Sequence, residues 1–251
     1  MSYTDKLFSI DGKKIVLTGA SRGIGNAIAK ALFQCGAKVI GCSRFKPEDV
    51  SYFDEYHTVD LEKEESINDF IRKVIENNSV IDVLINAAGI TIPNVSENSE
   101  TTIKNFDKTI AINLKASFLL IEGLKNNFNT KGGSIINISS IAQYTGFPNN
   151  PSYTASKGGL KQLTMAYAND LADKNIRVNN IAPGYIKTKM TEKSYNDPKL
   201  YKKRLQHTLL NRWGKPEDIV GGVIYLSSNA SSYFTGSTIL IDVGWISKGL
   251  V

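Results

Sequence analysis

The chain has 251 residues, 41% of them hydrophobic, which suffices for the core of one large domain or two small ones. No run approaches about 18 consecutive apolar residues and the first residues lack the pattern of a signal peptide, so we expect a cytoplasmic protein without a membrane span. The net charge is +6, and two cysteines and two histidines are too few to indicate a disulfide framework, a metal site or a Ser-His-Asp triad.

Short apolar strands alternate with helices along the whole chain. This order is typical of a parallel sheet covered on both faces, so we predict an α/β fold: a single doubly wound Rossmann-type domain over residues 1–251, with a seven-stranded parallel sheet. Cys35 ends a predicted helix and Cys42 lies in a predicted strand, and both are interpreted as core residues. The predicted strands are 14–18, 38–42, 56–59, 81–85, 133–139, 176–181 and 237–242. The predicted helices are 24–34, 64–77, 153–173 and 216–228, with one or two helices over 101–128.

Three stretches lack a clear element. Residues 91–98 and 146–151 are predicted loops because of their Pro, Asn and Ser content. Residues 188–210 have a polar helical pattern interrupted at Asn196-Asp197-Pro198.

A glycine-rich turn follows the first strand and opens the first long helix. Gly19 permits a tight turn, Gly23 lets the backbone approach a pyrophosphate, and Gly25 allows close helix packing. Because a helix N-terminus presents N–H groups and partial positive charge, the turn predicts a dinucleotide site, with an ordinary strand-to-helix turn as the alternative. The predicted contacts are Gly19, Ser21, Arg22, Gly23, Ile24 and Gly25.

The end of the second strand indicates which nicotinamide cofactor binds. Enzymes that use NAD usually have an acidic residue there, whereas this strand ends in Ser43 and Arg44. With help from Ser43 and Arg22, Arg44 is suited to pair with a 2′-phosphate, unless both arginines are ordinary surface residues. We therefore favour NADP(H), with NAD(H) as the alternative.

Two further strand ends contribute to the predicted cofactor site. Asp60, followed by Leu61, is placed either to accept the adenine amino group or to cap the next helix. Small residues after the fourth strand leave room for the adenosine or form a plain tight turn: Asn86, Ala87, Ala88 and Gly89.

Four residues have the chemistry for moving a proton at a carbonyl oxygen. A tyrosine of pKa about 10 needs about 4 kcal/mol of electrostatic help to titrate near neutrality, and Lys157 lies one helical turn after Tyr153 on the same face. Ser140, at a strand end, is placed to hydrogen-bond a substrate oxygen. Asn113, inside a helical region, is placed to hold a water beside Lys157. After a dinucleotide turn, this set predicts hydride transfer between a nicotinamide and a carbonyl or alcohol.

Residues 185–212 carry eight basic and two acidic side chains, which accounts for the whole net charge. The segment is either a solvated helix face or a lid that attracts an anionic substrate. No nucleic-acid recognition motif accompanies it, so neither a nucleic acid nor a membrane is an expected partner.

From residue 18 to Asp242 the chain resembles the short-chain dehydrogenase/reductase family. The resemblance implies that Tyr153 is the general acid/base, that Lys157 lowers its pKa and binds the nicotinamide ribose, that Ser140 polarises the substrate oxygen, and that Asn113 completes a proton relay. It also implies a homotetramer with the helices at 101–128 and 153–173 in one interface. The implied contacts to the nicotinamide carboxamide are Pro183, Gly184, Ile186 and Thr188.

The chain departs from the family pattern at Ala87, where a second Asn is common, and at Val243, where glycine is common. Around Trp213 and Trp245 it looks similar to gluconate and deoxygluconate dehydrogenases, so the favoured substrate is a sugar acid or other anionic carbohydrate. Trp245 would stack on the sugar or be a buried or interface residue. The alternatives are a 3-oxoacyl-acyl-carrier-protein reductase and a non-enzymatic cofactor sensor or scaffold.

Overall fold

The computed structural model describes residues 2–93 and 98–249. In those residues seven strands form one parallel sheet in the order β3-β2-β1-β4-β5-β6-β7. The predicted α/β fold with a seven-stranded parallel sheet is confirmed. The strands are β1 (Lys14–Thr18), β2 (Lys38–Ser43), β3 (Glu55–Thr58), β4 (Val83–Asn86), β5 (Gly133–Ile138), β6 (Ile176–Pro183) and β7 (Thr238–Ile241).

Helices cover both faces of the sheet and form the surface segment after β6. Short 3₁₀ turns join several of them, and a π-helical turn at Ala111–Lys115 separates α4 from α5. The α-helices are α1 (Tyr3–Phe8), α2 (Gly23–Gln34), α3 (Glu64–Asn78), α4 (Ser99–Ile110), α5 (Ala116–Leu124), α6 (Pro151–Asp170), α7 (Glu192–Tyr195), α8 (Pro198–Leu205) and α9 (Val220–Ser227).

The core consists of two apolar layers, one on each face of the sheet. Side chains alternate along β1, so that Val16 faces a layer with Phe70 of α3 and Leu120 of α5. Leu17 faces the opposite layer, which includes Ile28 of α2. Because every inner strand is buried on both faces, the strands read in the sequence as short continuous apolar runs.

The helical region predicted at 101–128 contains the largest departure from regular geometry. The π-helical turn adds one residue to the repeat, and Asn113 lies inside it. Such turns are rare and occur mostly at functional sites. The sequence pattern predicted one or two helices here and did not locate the turn.

Helix boundaries follow local capping chemistry. Helix α6 begins at Pro151, two residues before the predicted start, because proline fits the first helical position. Asp197 caps α8 by accepting from the backbone N–H groups of Lys199 and Leu200, which explains the break in the polar segment. Helix α1 was absent from the sequence expectation; Ser2 and Asp5 cap it reciprocally.

The interpretation of Cys35 as a core residue is wrong, whereas Cys42 is buried as expected. Cys35 is the C-terminal cap of α2, and its side chain is exposed where the chain turns toward Gly36.

The predicted loop at 91–98 lies partly outside the described residues, since residues 94–97 are not described. No helix in the described part of the chain has the length and apolar character that crossing a bilayer requires.

Candidate active site

A groove of about 690 Å³ opens at the carboxyl ends of the strands, where β1 lies between β2 and β4. The connections after β1 and β4 run to opposite sides of the sheet at this point, which leaves the crevice where open α/β sheets bind ligands. Fourteen predicted cofactor residues line it: Gly19, Ser21, Arg22, Gly23, Ile24, Gly25, Ser43, Arg44, Asp60, Leu61, Ala87, Ala88, Gly89 and Thr188.

The glycine turn is shaped to fit a pyrophosphate. Gly19 and Gly23 have φ of 69° and 58°, and a Cβ on Gly19 would lie 2.7 Å from the Ala88 Cα. A Cβ on Gly25 would overlap the Gly19 carbonyl oxygen, so this glycine allows α2 to start against the turn. Arg22, the N-cap residue, makes no side-chain capping bond, and the first N–H groups of α2 remain available to an anion.

Cationic side chains lie at the end of the groove beside β2. Arg22 and Arg44 are both exposed, and the Arg44 guanidinium packs 5.0 Å from the centre of the Phe45 ring. Ser43 differs from the expectation because its hydroxyl donates to the Phe45 carbonyl (2.5 Å) and shares a 2.6 Å hydrogen bond with Tyr56. The two arginines are thus better placed than Ser43 to pair with a 2′-phosphate here.

Asp60 is not the cap of the helix that follows it. Lys63 occupies the N-cap position of α3, and Asp60 Oδ1 accepts from the Glu62 N–H in a local turn. The Asp60 backbone N–H donates to Ser66 Oγ. This turn keeps Asp60 at the rim of the groove, beside Leu61.

Asn86 does not line the groove, in contrast to the prediction that its side chain contacts the cofactor. The side chain is 3% exposed, and its Nδ2 donates to Asn137 Oδ1 over 2.9 Å. These two residues are directly opposite each other on β4 and β5. Asn137 then donates to Thr164 of α6, so the row fixes that helix against the sheet.

The turn after β4 is held by a hydroxyl of β1. Thr18 Oγ1 accepts from the N–H groups of Ala87 and Ala88 at 3.1 and 3.2 Å. A Cβ on Gly89 would lie 3.5 Å from both Asn113 Oδ1 and Lys157 Nζ. The turn therefore connects the dinucleotide groove to the residues expected to move protons.

The structure brings Ser140, Tyr153 and Lys157 together. Ser140 Oγ accepts from the Ala142 N–H at 3.1 Å and hydrogen-bonds the Tyr153 phenol. Lys157 Nζ lies 5.8 Å from the centre of the Tyr153 ring and donates to the Ile138 carbonyl over 2.8 Å. The neighbouring Ser139 is oriented elsewhere, with its hydroxyl donating to Gln143.

Burial shifts both ionisable groups of this set toward their neutral forms. It raises the pKa of Tyr153, which the Ser140 hydrogen bond opposes and the nearby Tyr185 phenol increases. Burial alone lowers the pKa of Lys157 to about 8, and this side chain is 4% exposed. The lowering of the Tyr153 pKa by Lys157 stays a prediction.

Asn113 anchors the chain beside these residues. Its Oδ1 accepts from the Ile90 N–H (2.8 Å), and its Nδ2 donates to the Ile90 carbonyl (2.9 Å) and to Ser156 Oγ (3.1 Å). These three bonds use both amide N–H groups and one lone pair of Oδ1, and the water that we expected beside Lys157 stays a prediction. The side chain fixes the position of Ile90 and of the adjacent Gly89.

The segment after β6 crosses from the sheet toward the groove. Pro183 and Ile186 are buried, so their side chains support the segment and do not line the groove. A Cβ on Gly184 would lie 2.8 Å from the Asp242 Cα, which requires glycine there. Thr188 approaches the N-terminus of α2, since a Cβ on Gly23 would lie 3.4 Å from its methyl carbon.

In the predicted lid at 185–212, aromatic rings pack together and most of the cations are exposed. Tyr201 stacks on Trp213 at 5.7 Å between ring centres, and Tyr185 lies 5.3 Å from Trp213. Trp245 approaches both Tyr185 and Phe147 at 6.1 Å. We call Phe147, Tyr185, Trp213 and Trp245 the aromatic cluster.

Sequence reasoning missed several residues of these sites. Asn26 and Tyr52 line the groove and hydrogen-bond each other, and the aromatic residues at 52, 53 and 56 were a signal that went unused. Phe147 was missed because it lies in a predicted loop. Ile90 carries no sequence signal, since it contributes its backbone.

Known proteins match the chain over nearly its whole length. A family model described as "Enoyl-(Acyl carrier protein) reductase" matches residues 19–246. A 2-dehydro-3-deoxy-D-gluconate 5-dehydrogenase of Bacillus subtilis (strain 168) is 36% identical and covers 99% of this chain and 100% of that protein. A 3-oxoacyl-[acyl-carrier-protein] reductase of Rickettsia prowazekii (strain Madrid E) is 37% identical and covers 96% of this chain and 99% of that protein.

Solved structures agree with these relatives. A putative NAD(P)-dependent gluconate 5-dehydrogenase of Beutenbergia cavernae, with bound NADP at low occupancy, superimposes with a TM-score of 0.89 at 30% identity. A putative 2-deoxy-D-gluconate 3-dehydrogenase of Agrobacterium tumefaciens with bound NADP gives 0.85 at 33% identity. Each comparison covers 96% of this chain and 99% of the other.

Proposed function

The chain belongs to the short-chain dehydrogenase/reductase family, and on that premise we propose that it is an NADP(H)-dependent enzyme that interconverts a secondary alcohol and a ketone. The observation that supports this most directly is that the side chains of Ser140, Tyr153 and Lys157 lie close together beside the glycine-lined groove. A bound nicotinamide dinucleotide supplies or accepts the hydride. The protein's own residues must then bind it, orient the substrate and move one proton.

The proposed proton route begins at the Tyr153 hydroxyl. In ketone reduction the substrate oxygen lies between the hydroxyls of Ser140 and Tyr153; Ser140 donates a hydrogen bond and Tyr153 transfers its proton. Lys157, when protonated, stabilises the resulting phenolate from the same helix face. Oxidation of an alcohol uses the same groups in reverse.

Asn113 has a positioning role in this proposal. By holding the Ile90 backbone it fixes the loop that separates Lys157 from the groove. Gly89 and Lys157 then remain adjacent, and the lysine ammonium stays beside both the tyrosine and the space for the cofactor ribose.

The preference for NADP(H) rests on Arg22 and Arg44. Both line the groove and are exposed, and neither forms an ion pair with an acidic side chain of residues 2–93 or 98–249. A 2′-phosphate would pair with their guanidinium groups. Arg44→Asp should weaken NADPH binding at least tenfold more than NADH binding, measured by titration of each cofactor. Equal losses for the two cofactors would remove the basis for the preference.

We propose a sugar acid or another anionic carbohydrate as the substrate. Aromatic rings that enclose the space next to the catalytic set suit the apolar face of a sugar, and two gluconate-type dehydrogenases with bound NADP share the fold closely. A 3-oxoacyl group on an acyl carrier protein is the second candidate, favoured by the Rickettsia relative and by the exposed basic surface of α8.

The test is loss of NADPH absorbance with purified protein against two panels. One contains keto-sugar acids and keto-sugars, and the other contains short 3-oxoacyl thioesters. Turnover on the first panel supports the proposed substrate, and turnover confined to the second replaces it with the second candidate.

Tyr153→Phe separates an enzyme from a cofactor sensor on the same fold. The change deletes one hydroxyl at the Ser140 contact and leaves the glycine turn intact. We expect turnover to fall at least a thousandfold while NADPH affinity changes less than threefold. Unchanged turnover would show that another group moves the proton, and an inactive wild-type protein that binds NADPH would favour the sensor.

We further propose that the chain assembles as a homotetramer through α4, α5 and α6. Ile103, Phe106 and Phe118 are 60%, 43% and 42% exposed on the first two of these helices. Phe118 also lies 6.3 Å from Tyr167 of α6, which is itself buried, so the exposed Phe118 ring packs beside the third helix. Light scattering should give the tetramer mass for the wild type and a smaller mass for Phe118→Asp; a wild-type monomer contradicts the proposal.

A further inference from the structure

The aromatic cluster lies near the catalytic residues. Phe147 belongs to the loop between Ser140 and Tyr153, and its ring stacks on Tyr185 with 6.2 Å between centres. The Tyr185 phenol is close enough to act electrostatically on Tyr153. A ligand held at the cluster would therefore lie near the groups that move the proton.

One cation is built into this cluster. The Arg204 guanidinium lies 4.6 Å from the centre of the Tyr185 ring and 6.0 Å from that of Trp213, close enough to oppose the rise that burial causes in the pKa of Tyr185. Across residues 2–93 and 98–249, no acidic side chain forms an ion pair with it. With its face against rings, the planar group keeps N–H edges for an anion.

The other cations of the lid have different surroundings. Arg212 is paired with Asp218 through contacts of 2.7 and 3.0 Å. Lys189 lines the cofactor groove, and Lys202 and Lys203 are exposed on α8. Arg204 is thus the lid cation that is both partly buried and set against aromatic rings.

The cluster also contains two buried donors without acceptors. The indole Nε1 atoms of Trp213 and Trp245 have no hydrogen-bond partner among the described residues, although solvent does not reach either atom. Trp213 as a whole is 5% exposed. Buried donors are normally satisfied, so each of these two indole N–H groups is a position where an acceptor can bind.

We propose that Arg204 binds the carboxylate of the substrate, with the Trp213 and Trp245 indoles as additional donors to the same ligand. A carboxylate offers oxygen acceptors in a plane, which matches a guanidinium fork better than a neutral hydroxyl does. The adjacent rings exclude water and strengthen the charge pairing. The inference rests on the proposed oxidoreductase function and narrows its substrate to a molecule that carries the carboxylate itself.

The protein's own fluorescence gives a test that is independent of turnover. Trp213 and Trp245 are the two tryptophans of the sequence, and both lie in the cluster, so their emission reports on ligands there. The full-length protein with saturating NADP⁺ is titrated with D-gluconate and with D-glucitol, its neutral polyol counterpart. The variants are Arg204→Met, Arg204→Lys and, as a control on the same helix, Lys203→Met.

We expect gluconate to change the emission of the wild type and of Lys203→Met in a saturable way, and glucitol to bind at least tenfold more weakly. Arg204→Met should weaken gluconate binding at least tenfold, and Arg204→Lys should restore part of it. Equal gluconate affinity in wild type and Arg204→Met, equal affinity for gluconate and glucitol, or no gluconate binding would each overturn the inference. An unchanged NADP⁺ affinity shows that a variant is folded.

Turnover distinguishes failure of this inference from failure of the proposed function. If keto-sugar acids are reduced and Arg204→Met leaves their KM unchanged, the assignment of Arg204 is wrong and the proposed function stands. If gluconate binding depends on Arg204 but no sugar acid is turned over, the carboxylate site stands and the proposed substrate reaction is wrong.

Discussion

Replacing Lys157 with methionine should remove activity and at the same time stabilise the protein without its cofactor. The side chain is 4% exposed, and burial lowers its pKa from 10.5 to about 8. At about 1.36 kcal/mol for each pH unit, burying the cation costs about 3 kcal/mol at neutral pH. Methionine has a similar length, avoids this cost and forfeits the 2.8 Å hydrogen bond to Ile138, worth about 1 kcal/mol. The net gain at pH 7 is about 2 kcal/mol.

The pH dependence of that gain identifies its cause. Below pH 8 the lysine is protonated in the folded and the unfolded protein, so the wild type carries the full cost of burial. Between about pH 8 and 10.5 the folded protein releases the proton while the unfolded chain keeps it, and wild-type stability rises with pH. The advantage of Lys157→Met should therefore fall to about zero near pH 9.5.

Urea unfolding of the cofactor-free protein at the two pH values measures this difference. Lys161→Met is the matched control, because it removes a cation from the same helix whose Nζ lies over the Tyr144 ring, away from the buried site. We expect the control to change the free energy of unfolding by less than about 1 kcal/mol. If Lys157→Met is less stable than the wild type at pH 7, or its advantage does not shrink as pH rises, the reasoning is refuted. Ketone reduction should fall at least about a hundredfold in either case.

Three further changes test other parts of the structure. Gly25→Ala places a methyl group against the Gly19 carbonyl and should weaken NADPH binding at least tenfold by titration, whereas Gly221→Ala, with open space around it, should leave binding unchanged. Asn113→Ala leaves the Ile90 N–H and carbonyl without partners, so urea unfolding should show a loss of about 2 kcal/mol and kcat should fall more than the affinity for NADPH; an unchanged kcat would remove its positioning role. Val243→Gly relieves a β-branched residue at φ 51° and should raise the free energy of unfolding by about 1 kcal/mol; a loss of stability would show that the valine side chain contributes more by packing than it costs in backbone strain.

The sequence predicted the backbone features of the site well because they are local. The glycines at 19, 23 and 25 indicated positions where the chain turns tightly or approaches itself. In the structure Gly19 and Gly23 have positive φ, and a Cβ on Gly19 or Gly25 would overlap neighbouring backbone. The spacing of Tyr153 and Lys157 likewise fixes their shared helix face, and the structure has them 5.8 Å apart from ring centre to Nζ.

Side-chain partners were predicted less well, because they depend on neighbours distant in sequence. The small-residue pattern around Asn86 suggested a cofactor contact. In the sheet Asn86 lies directly opposite Asn137, and its side chain hydrogen-bonds that residue across the two strands. Ser43 was expected to face a phosphate, and its hydroxyl is bonded to Phe45 and Tyr56. The hydrogen bonds of Asn86 and Ser43 cannot be predicted from the local sequence pattern.

The sequence by itself determined the order of the strands, the parallel sheet and the position of the glycine-rich turn, since apolar periodicity and glycine conformations are properties of short segments. Only the tertiary structure decided which of the eight lid cations meets the aromatic cluster and which polar side chains remain open to a ligand. Those outcomes follow from strand register and from where helices cross the sheet. Arg204 and Lys203 are adjacent in sequence and carry the same charge. The fold places Arg204 against aromatic rings and leaves Lys203 exposed to solvent.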